Sequence, residues 1–345
     1  SNYACLYRIK KAETQPILES LDEFDSFQKV SRWSRESETG DKAELFDLPE
    51  NLSYWKDINA KSETCIGQKC ADFEPCFITR MRQEAEAADI VIVNHHLFFA
   101  DLNIRGNEYG RVLPDYAAVI FDEGHLIEDI ASDYFGFQVS SYQLDELVRD
   151  VERLPITDVQ LNRDLTKQSA KIINFSDQFW SRFVQGRGQD GRFPIPLNSF
   201  ANQNKTGEIE ATPLGGAYFA LDNALTRLET TLKGLDDDVS EIESVVRRTQ
   251  QVRFDLDFIA SQAEKHYVYW MERRGRGMFL RASPIDVSAL LQDKLFDKVE
   301  TCVLTSATLS SNGKFDFIKN RLGLDDDEKT KSLLAPSSFN YEKQA

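Results

Sequence analysis

The sequence predicts an α/β chain, a parallel-sheet domain broken by one small cysteine-bearing insertion and one larger helical insertion. Three observations carry this. Short apolar runs at residues 89–93, 118–121 and 302–305 each end in polar residues, the pattern of strands buried on both faces with a ligand edge at their carboxyl ends. Between the second and third runs, apolar residues recur at helical spacing. Upstream of the first run, Cys65, Cys70 and Cys76 crowd together.

In chain order, residues 11–64 are mixed, with a polar stretch at 31–44 and scattered Phe24, Phe27, Trp33, Phe46 and Trp55, which suggests a small satellite domain. Residues 77–88 read as a short helix, and 89–93 as a buried strand ending at Asn94-His95-His96. The long insertion starts near Ser140. Its stripes are Leu144, Leu147, Val151 and Leu154; then Ile172, Phe175, Phe179 and Phe183; then Leu221, Leu225, Leu228 and Leu232; then Ile242, Val246, Thr249, Val252, Leu256 and Ile259. Stripes of this kind are core packing. Residues 186–216, rich in Gly, Pro, Asn and Gln, read as a long loop, and the α/β domain resumes near Met278-Phe279-Leu280.

The chain has 345 residues, 41% of them hydrophobic, enough for two or three domains with real cores. No run of roughly 18 apolar residues and no charged-then-apolar start is present, so no membrane contact and a cytoplasmic setting are expected. A net charge of −16 argues against a uniformly basic nucleic-acid coat, while leaving room for a channel with local basic walls. The chain opens on Ser1 and reads as a piece of something longer.

Asp122-Glu123-Gly124-His125, directly after the apolar run 117–121, has the arrangement of a Walker B motif. There an Asp holds the Mg²⁺ of a nucleoside triphosphate, and the next Glu can polarise the attacking water. Gly124 allows a sharp turn, and His125 can relay the state of the site through hydrogen bonds. A solvated turn explains the Asp-Glu pair equally well until partners are found elsewhere.

The cysteines number five, an odd count that argues against a disulfide framework. Cys302 reads as a small buried thiol in a strand. Cys5 and the triplet form one outlier plus a group, which wraps a larger object more naturally than two short knuckles wrap one ion. A 4Fe–4S cluster is therefore preferred to Zn²⁺, and unligated thiols are the third reading. His95 and His96 could replace a ligand, but a motor or packing role suits their strand end better.

With Asn2-Tyr3-Ala4-Cys5, the cysteine triplet, Val93-Asn94-His95-His96-Leu97, the Asp122-Glu123-Gly124-His125 box, Pro284-Ile285-Asp286-Val287 and Leu304-Thr305-Ser306-Ala307-Thr308-Leu309 in order, the chain resembles the DinG/XPD family of iron–sulfur, superfamily 2 DNA helicases, closest to the bacterial DinG-like branch. The resemblance implies a partial RecA-like parallel-sheet motor domain with an inserted Fe–S domain and an inserted all-helical arch domain, framing a hole for one DNA strand. It divides the chain into an iron–sulfur domain at 1–80, motor domain 1 at 81–139, the arch at 140–274, motor domain 1 again at 275–330, and the start of a linker at 331–345. By carry-over, Cys5, Cys65, Cys70 and Cys76 look like cluster ligands, Asp122 the Mg²⁺ contact, Glu123 the catalytic base with His125 beside it, and Ser306 and Thr308 the motif coupling ATP hydrolysis to strand movement.

The implied activity is that of an ATP-dependent 5′–3′ DNA helicase in repair or replication stress, nucleoid-associated, acting on single-stranded or forked DNA with replication or repair proteins as further partners. The alternative is a non-catalytic DNA-binding or protein-docking module on the same scaffold. No Gly-x₄-Gly-Lys-Ser/Thr occurs in the sequence, so this chain alone is expected not to hydrolyse ATP. Lys265, His266, Tyr267, Tyr269, Trp270, Arg273, Arg274 and Arg276 pair basic groups with aromatic faces, as single-strand channels do, although a solvated helix end would look similar. Arg247 and Arg248 are weaker candidates.

Overall fold

A computed structural model describes residues 2–14, 21–49, 51–61, 65–105, 111–184, 190–203, 209–235, 240–326 and 328–336. Three separate hydrophobic cores organise them, one for each part of the chain that the sequence pattern divides.

The first core gathers α1 (Leu6–Thr14), α2 (Leu21–Glu36) and α3 (Trp55–Ile58) around Ile9, Phe27, Val30, Tyr54, Ile58 and Phe77. Phe27 meets Tyr54 edge-on, with ring centroids 5.8 Å apart. Of the scattered apolar residues in this region, Phe27 and Trp55 are buried, whereas Phe24 and Phe46 face solvent. Phe77, the first residue of α4 (Phe77–Ala87), closes this core against Gly40. Gly40 has φ +68°, and a Cβ there would fall 2.2 Å from the Phe77 ring, so both backbone angle and space require glycine.

The second core belongs to the parallel sheet. Helix α5 (His95–Ile104) is capped by Asn94, whose side chain accepts from the Leu97 N–H at 2.8 Å. Strand β1 (Ala118–Phe121) is followed by α6 (Ile127–Tyr134), and these pack Phe98, Phe99, Phe121, Ile127 and Phe135 together. Residues 89–93 correct the expectation of a strand. They run without a ladder, leaving Ile90 82% and Ile92 93% exposed. Backbone polar groups make a strand only beside a neighbour, and among the described residues no strand pairs with this segment.

The third core fills the insertion. It opens with β2 (Phe137–Ser140) and α7 (Ser141–Glu152), where Ser140 and Gln143 cap each other reciprocally. Next come α8 (Val159–Val184), β3 (Gly191–Pro194), the hairpin β4 (Ala201–Gln203) and β5 (Ile209–Ala211), then α9 (Pro213–Lys233) and α10 (Ser240–Ser261). The helical stripes are where the spacing puts them. Leu221, Leu225, Leu228 and Leu232 are all buried, each worth about 1.5–3 kcal/mol of transfer free energy.

The insertion is nevertheless not all-helical, and residues 186–216 are not a plain loop. β6 (Tyr267–Arg274) and β7 (Gly277–Pro284) form a hairpin that runs across residues 274 and 275, and the antiparallel sheet has the order β2-β7-β6-β3. Pro194 is tolerated because β3 is an edge strand. Helix α9 starts inside the Gly/Pro-rich stretch, with Thr212 as cap and Pro213 in its first turn. Gly215 is required there, since a Cβ would lie 1.8 Å from the Phe200 carbonyl oxygen.

After α11 (Ser288–Leu291), β8 (Thr301–Leu304) returns beside β1 in parallel, with Phe121 opposite Leu304, and α12 (Asp316–Leu322) covers the second core with Leu322. Cys302 is partly buried against that core, which pushes its thiol up to about 12. Among the described residues no helix is long and apolar enough to cross a membrane.

Candidate active site at two parallel strand ends

The pairing of β1 with β8 brings Asp122-Glu123-Gly124-His125 against Thr305-Ser306. Thr305 N–H donates to the Phe121 carbonyl at 2.8 Å, and Gly124 N–H donates to the Thr305 carbonyl at 2.8 Å, so the ladder continues one step past both strands. At Gly124 a Cβ would meet Leu304 Cβ at 3.1 Å, which leaves little room for any larger residue. Glu123 sits at φ 49° and ψ 46°, a left-handed conformation rarely taken by a residue with a side chain. Strain of that kind concentrates at functional sites.

The side chains then converge. Thr305 Oγ1 donates to Asp122 Oδ1 at 3.2 Å, and Ser306 Oγ donates to Glu123 Oε2 at 3.0 Å. His125 Nδ1 stands 2.9 Å from Ser306 Oγ and 3.2 Å from Glu123 Oε2. Ser306 Oγ also accepts from the Thr308 N–H and lies 3.2 Å from Thr308 Oγ1. Asp122, Glu123, His125, Ser306 and Thr308, picked out by residue type and by family resemblance, therefore occupy one largely exposed polar cluster. Oxygen ligands of this type suit a hard cation such as Mg²⁺, and Asp122 is an exposed carboxylate beside a hydroxyl.

One participant, Thr305, was not singled out in the sequence, whereas His95 and His96 were. Thr305 contacts Asp122 directly, and the motif Leu304-Thr305-Ser306 contained it. His95 stacks on Phe121 with centroids 5.7 Å apart and rings 6° from parallel, while His96 leans on Tyr134 at 5.9 Å. Both histidines are thus packing residues of the strand end.

The cysteine-bearing part of the chain is a second candidate region. Cys5 N–H is held by the Ile58 carbonyl at 2.9 Å, Cys70 closes a 3₁₀ turn at residues 67–69, and Cys76 immediately precedes α4. The Cys5 thiol is pushed up to about 11, chiefly by burial, with the neighbouring Cys76 and Cys70 adding to the shift against a lowering contact from Arg8. Cys70 is pushed up as well, chiefly by burial, with the charges of Asp72, Cys76 and Cys65 adding to the shift against a lowering backbone hydrogen bond at Asp72. Cys5 and Cys70 each feel neighbouring thiols, and all four cysteines are free. A partly buried, all-thiol donor set fits a group bound by several thiolates. Among the described residues no three His, Cys, Asp or Glu side chains converge as they would on one metal ion.

The cysteine unit touches the insertion through polar contacts. Tyr7 hydroxyl donates to Glu241 at 2.6 Å, Lys11 pairs with the same carboxylate at 2.8 Å, Lys69 meets Glu243 at 3.0 Å, and Arg153 meets Asp57 at 3.1 Å. A cavity of about 310 Å³ lies between them. Arg248 lines it and is tied to Asp150, so it is no open cation.

The suggested strand-contact segment divides by alternation. Tyr267, Tyr269 and Met271 turn into the insertion core, whereas Trp270 and Arg274 share the opposite face with Val268 and Glu272. Lys265, His266 and Arg276 are exposed, and Arg273 is half-buried.

Comparison with known proteins places this arrangement. The DEAD_2 family model matches residues 44–144. Over its full length the chain is 28% identical to the ATP-dependent DNA helicase YoaA of Haemophilus influenzae and, separately, 28% identical to YoaA of Escherichia coli, covering 52% of each relative. Over 99% of its length it is 25% identical to the ATP-dependent helicase DinG of Mycobacterium tuberculosis, covering 51% of that protein. The chain spans about half the length of these curated relatives. Taken with the strand-end cluster, these matches show that the chain is similar to DinG-like helicases.

Proposed function

We propose that the chain is part of an ATP-dependent 5′–3′ DNA helicase of the DinG/XPD type, acting on single-stranded or forked DNA in repair or replication stress. The observation that carries this is the hydrogen-bonded chain Glu123–Ser306–Thr308, with His125 bridging Glu123 and Ser306. Asp122 is the proposed Mg²⁺ contact, and Glu123 the group that takes the proton of the attacking water. Mg²⁺, when bound, would neutralise charge on the phosphates. Loss of the Glu123 negative charge on accepting a proton weakens the bond that Ser306 donates to it. That change passes to Thr308 and to β8, so hydrolysis is felt on a second strand.

Cys5, Cys65, Cys70 and Cys76 are the proposed ligands of a 4Fe–4S cluster, which would brace the first core and its polar contact with the insertion. Their mutual influence and thiol-only chemistry support the assignment. The relatives' names support ATP dependence and DNA as substrate. One alternative is a docking or DNA-binding module without hydrolysis on the same scaffold. Replacing Glu123 by Gln in the full-length protein decides between them. Hydrolysis should fall by at least about a hundredfold while ATP binding persists. An unaltered turnover would reject the base assignment.

A further inference from the structure

The face of the β2-β7-β6-β3 sheet opposite the insertion core is only partly covered, Tyr142 of α7 meeting Phe279 edge-on at 6.1 Å. Tyr269, Met271, Leu280 and Ala282 point into the insertion core. Alternation puts Trp270 and Phe279 on the other face, in none of the three hydrophobic cores. Register aligns two rows across the strands. Pro194, Trp270, Arg281 and Gln138 form one, and Arg192, Glu272 and Phe279 form the next. Val268 adds an apolar side chain that is 49% exposed.

Charge on this face is cationic in a chain of net charge −16. The buried Glu272 carboxylate is shared by Arg192 at 3.4 Å, Arg274 at 2.8 Å and Arg281 at 3.5 Å, and Asp133 on α6 takes Arg281 at the sheet edge. Arg192 and Arg274 remain largely exposed, with side-chain exposures of 64% and 59%. Their guanidinium groups also lie over rings, Arg192 5.9 Å from Trp270 and Arg274 6.0 Å from Phe279. Trp270 Nε1 is buried without a hydrogen-bond partner. A merely solvated face would need neither the two rings nor arginines poised above them.

We propose that this open face is a stacking platform for single-stranded DNA, with bases lying on Trp270 and Phe279 and phosphates met by Arg192 and Arg274. The inference rests on the reading that the protein handles single DNA strands, and names the surface that does so. Trp270 and Phe279 are diagonal cross-strand neighbours, about 7–8 Å apart by sheet geometry, a separation that successive bases of an extended strand can span. Aromatic stacking tolerates any base, and arginine supplies both phosphate contact and ring contact.

The test is fluorescence anisotropy of a labelled oligothymidylate titrated with the chain at several salt concentrations, with circular dichroism confirming that each variant folds. Trp270→Leu should weaken binding about tenfold and leave the salt dependence unchanged. The double variant Arg192→Ala/Arg274→Ala should weaken binding and reduce the slope of log affinity against log salt by about 1.4, the value for two lost phosphate contacts on a single strand. Lys171→Ala, on the exposed side of α8, should change neither quantity. Photocrosslinking of a bromodeoxyuridine strand should label the peptides holding Trp270 or Phe279. Tight wild-type binding that neither variant alters, or crosslinks confined to other segments, would overturn the platform and leave the single-strand reading intact. Absence of wild-type binding even at low salt would overturn both.

Discussion

Ser306 donates a hydrogen bond of 3.0 Å to Glu123, tying together two strand ends that stand 183 residues apart in sequence. His125 braces the pair by reaching both partners, and Thr308 extends it. Removing the Ser306 hydroxyl breaks the connection without touching the carboxylate. In the full-length protein, Ser306→Ala should lower ATP turnover less than tenfold while reducing strand unwinding much further. Parallel ATPase and unwinding assays read the two quantities, and an equal loss of both would reject the coupling role.

The close approach of Gly124 to Leu304 sets a steric limit. Gly124→Ala places a methyl 3.1 Å from Leu304 Cβ, so the strand ends must move apart at a cost of about 1–3 kcal/mol. Urea denaturation should show this loss. Removing the neighbour's Cβ with Leu304→Gly costs packing of its own, but the double variant should lose less than the two single losses combined.

Asp255 offers a pH-dependent handle on the insertion. Burial pushes its carboxyl up from 3.8 to about 7, against a lowering hydrogen bond from Gln251. The folded state therefore holds a proton that the unfolded chain has released, and stability falls as pH rises from about 4 through about 7. Above that range the penalty is complete, up to about 4 kcal/mol. Asp255→Asn should raise the urea midpoint at pH 8 and raise it by less at pH 5.5. A gain independent of pH would reject the assignment.

Cys5 tests the thiol cluster. Protein purified anaerobically should be brown, with broad absorption near about 400 nm. Cys5→Ser should lower bound iron and that absorption together, while Cys302→Ser, in the other core, should leave both unchanged. A colourless protein carrying stoichiometric zinc would overturn the cluster.

Much of the frame was legible because it rests on periodicity. The leucines of α9 announce a helix whose one face is buried, and the apolar run ending at Asp122 announces a strand with a polar carboxyl end. Residues 89–93 misled because an apolar run states a wish for burial, whereas a strand also needs a partner for its backbone. The sheet of the insertion was hidden for another reason. β6 and β7 alternate ring, charge and aliphatic side chains over two unlike faces, so Trp270 and Arg274 look like a solvated end until the register with β3 and β7 is known. The site residues were readable by type, but the left-handed turn at Glu123 has no sequence signal, since glycine, the usual occupant of such a conformation, stands one position later.

The antiparallel pairing of Phe137–Ser140 with Gly277–Pro284 has a bearing on how the chain folds. β1 and β8 cannot find each other cheaply across so much intervening sequence, because long-range contacts are made only after the entropy of closing the loop has been spent. Once Val139 sits opposite Leu280, the whole insertion becomes a clasped loop, and the ends of β1 and β8 are left only short distances to travel. Early closure of the insertion would therefore lower the entropic cost of pairing the two parallel strands. A change that slows closure at β2 and β7 should delay pairing of β1 with β8 even though it touches neither strand.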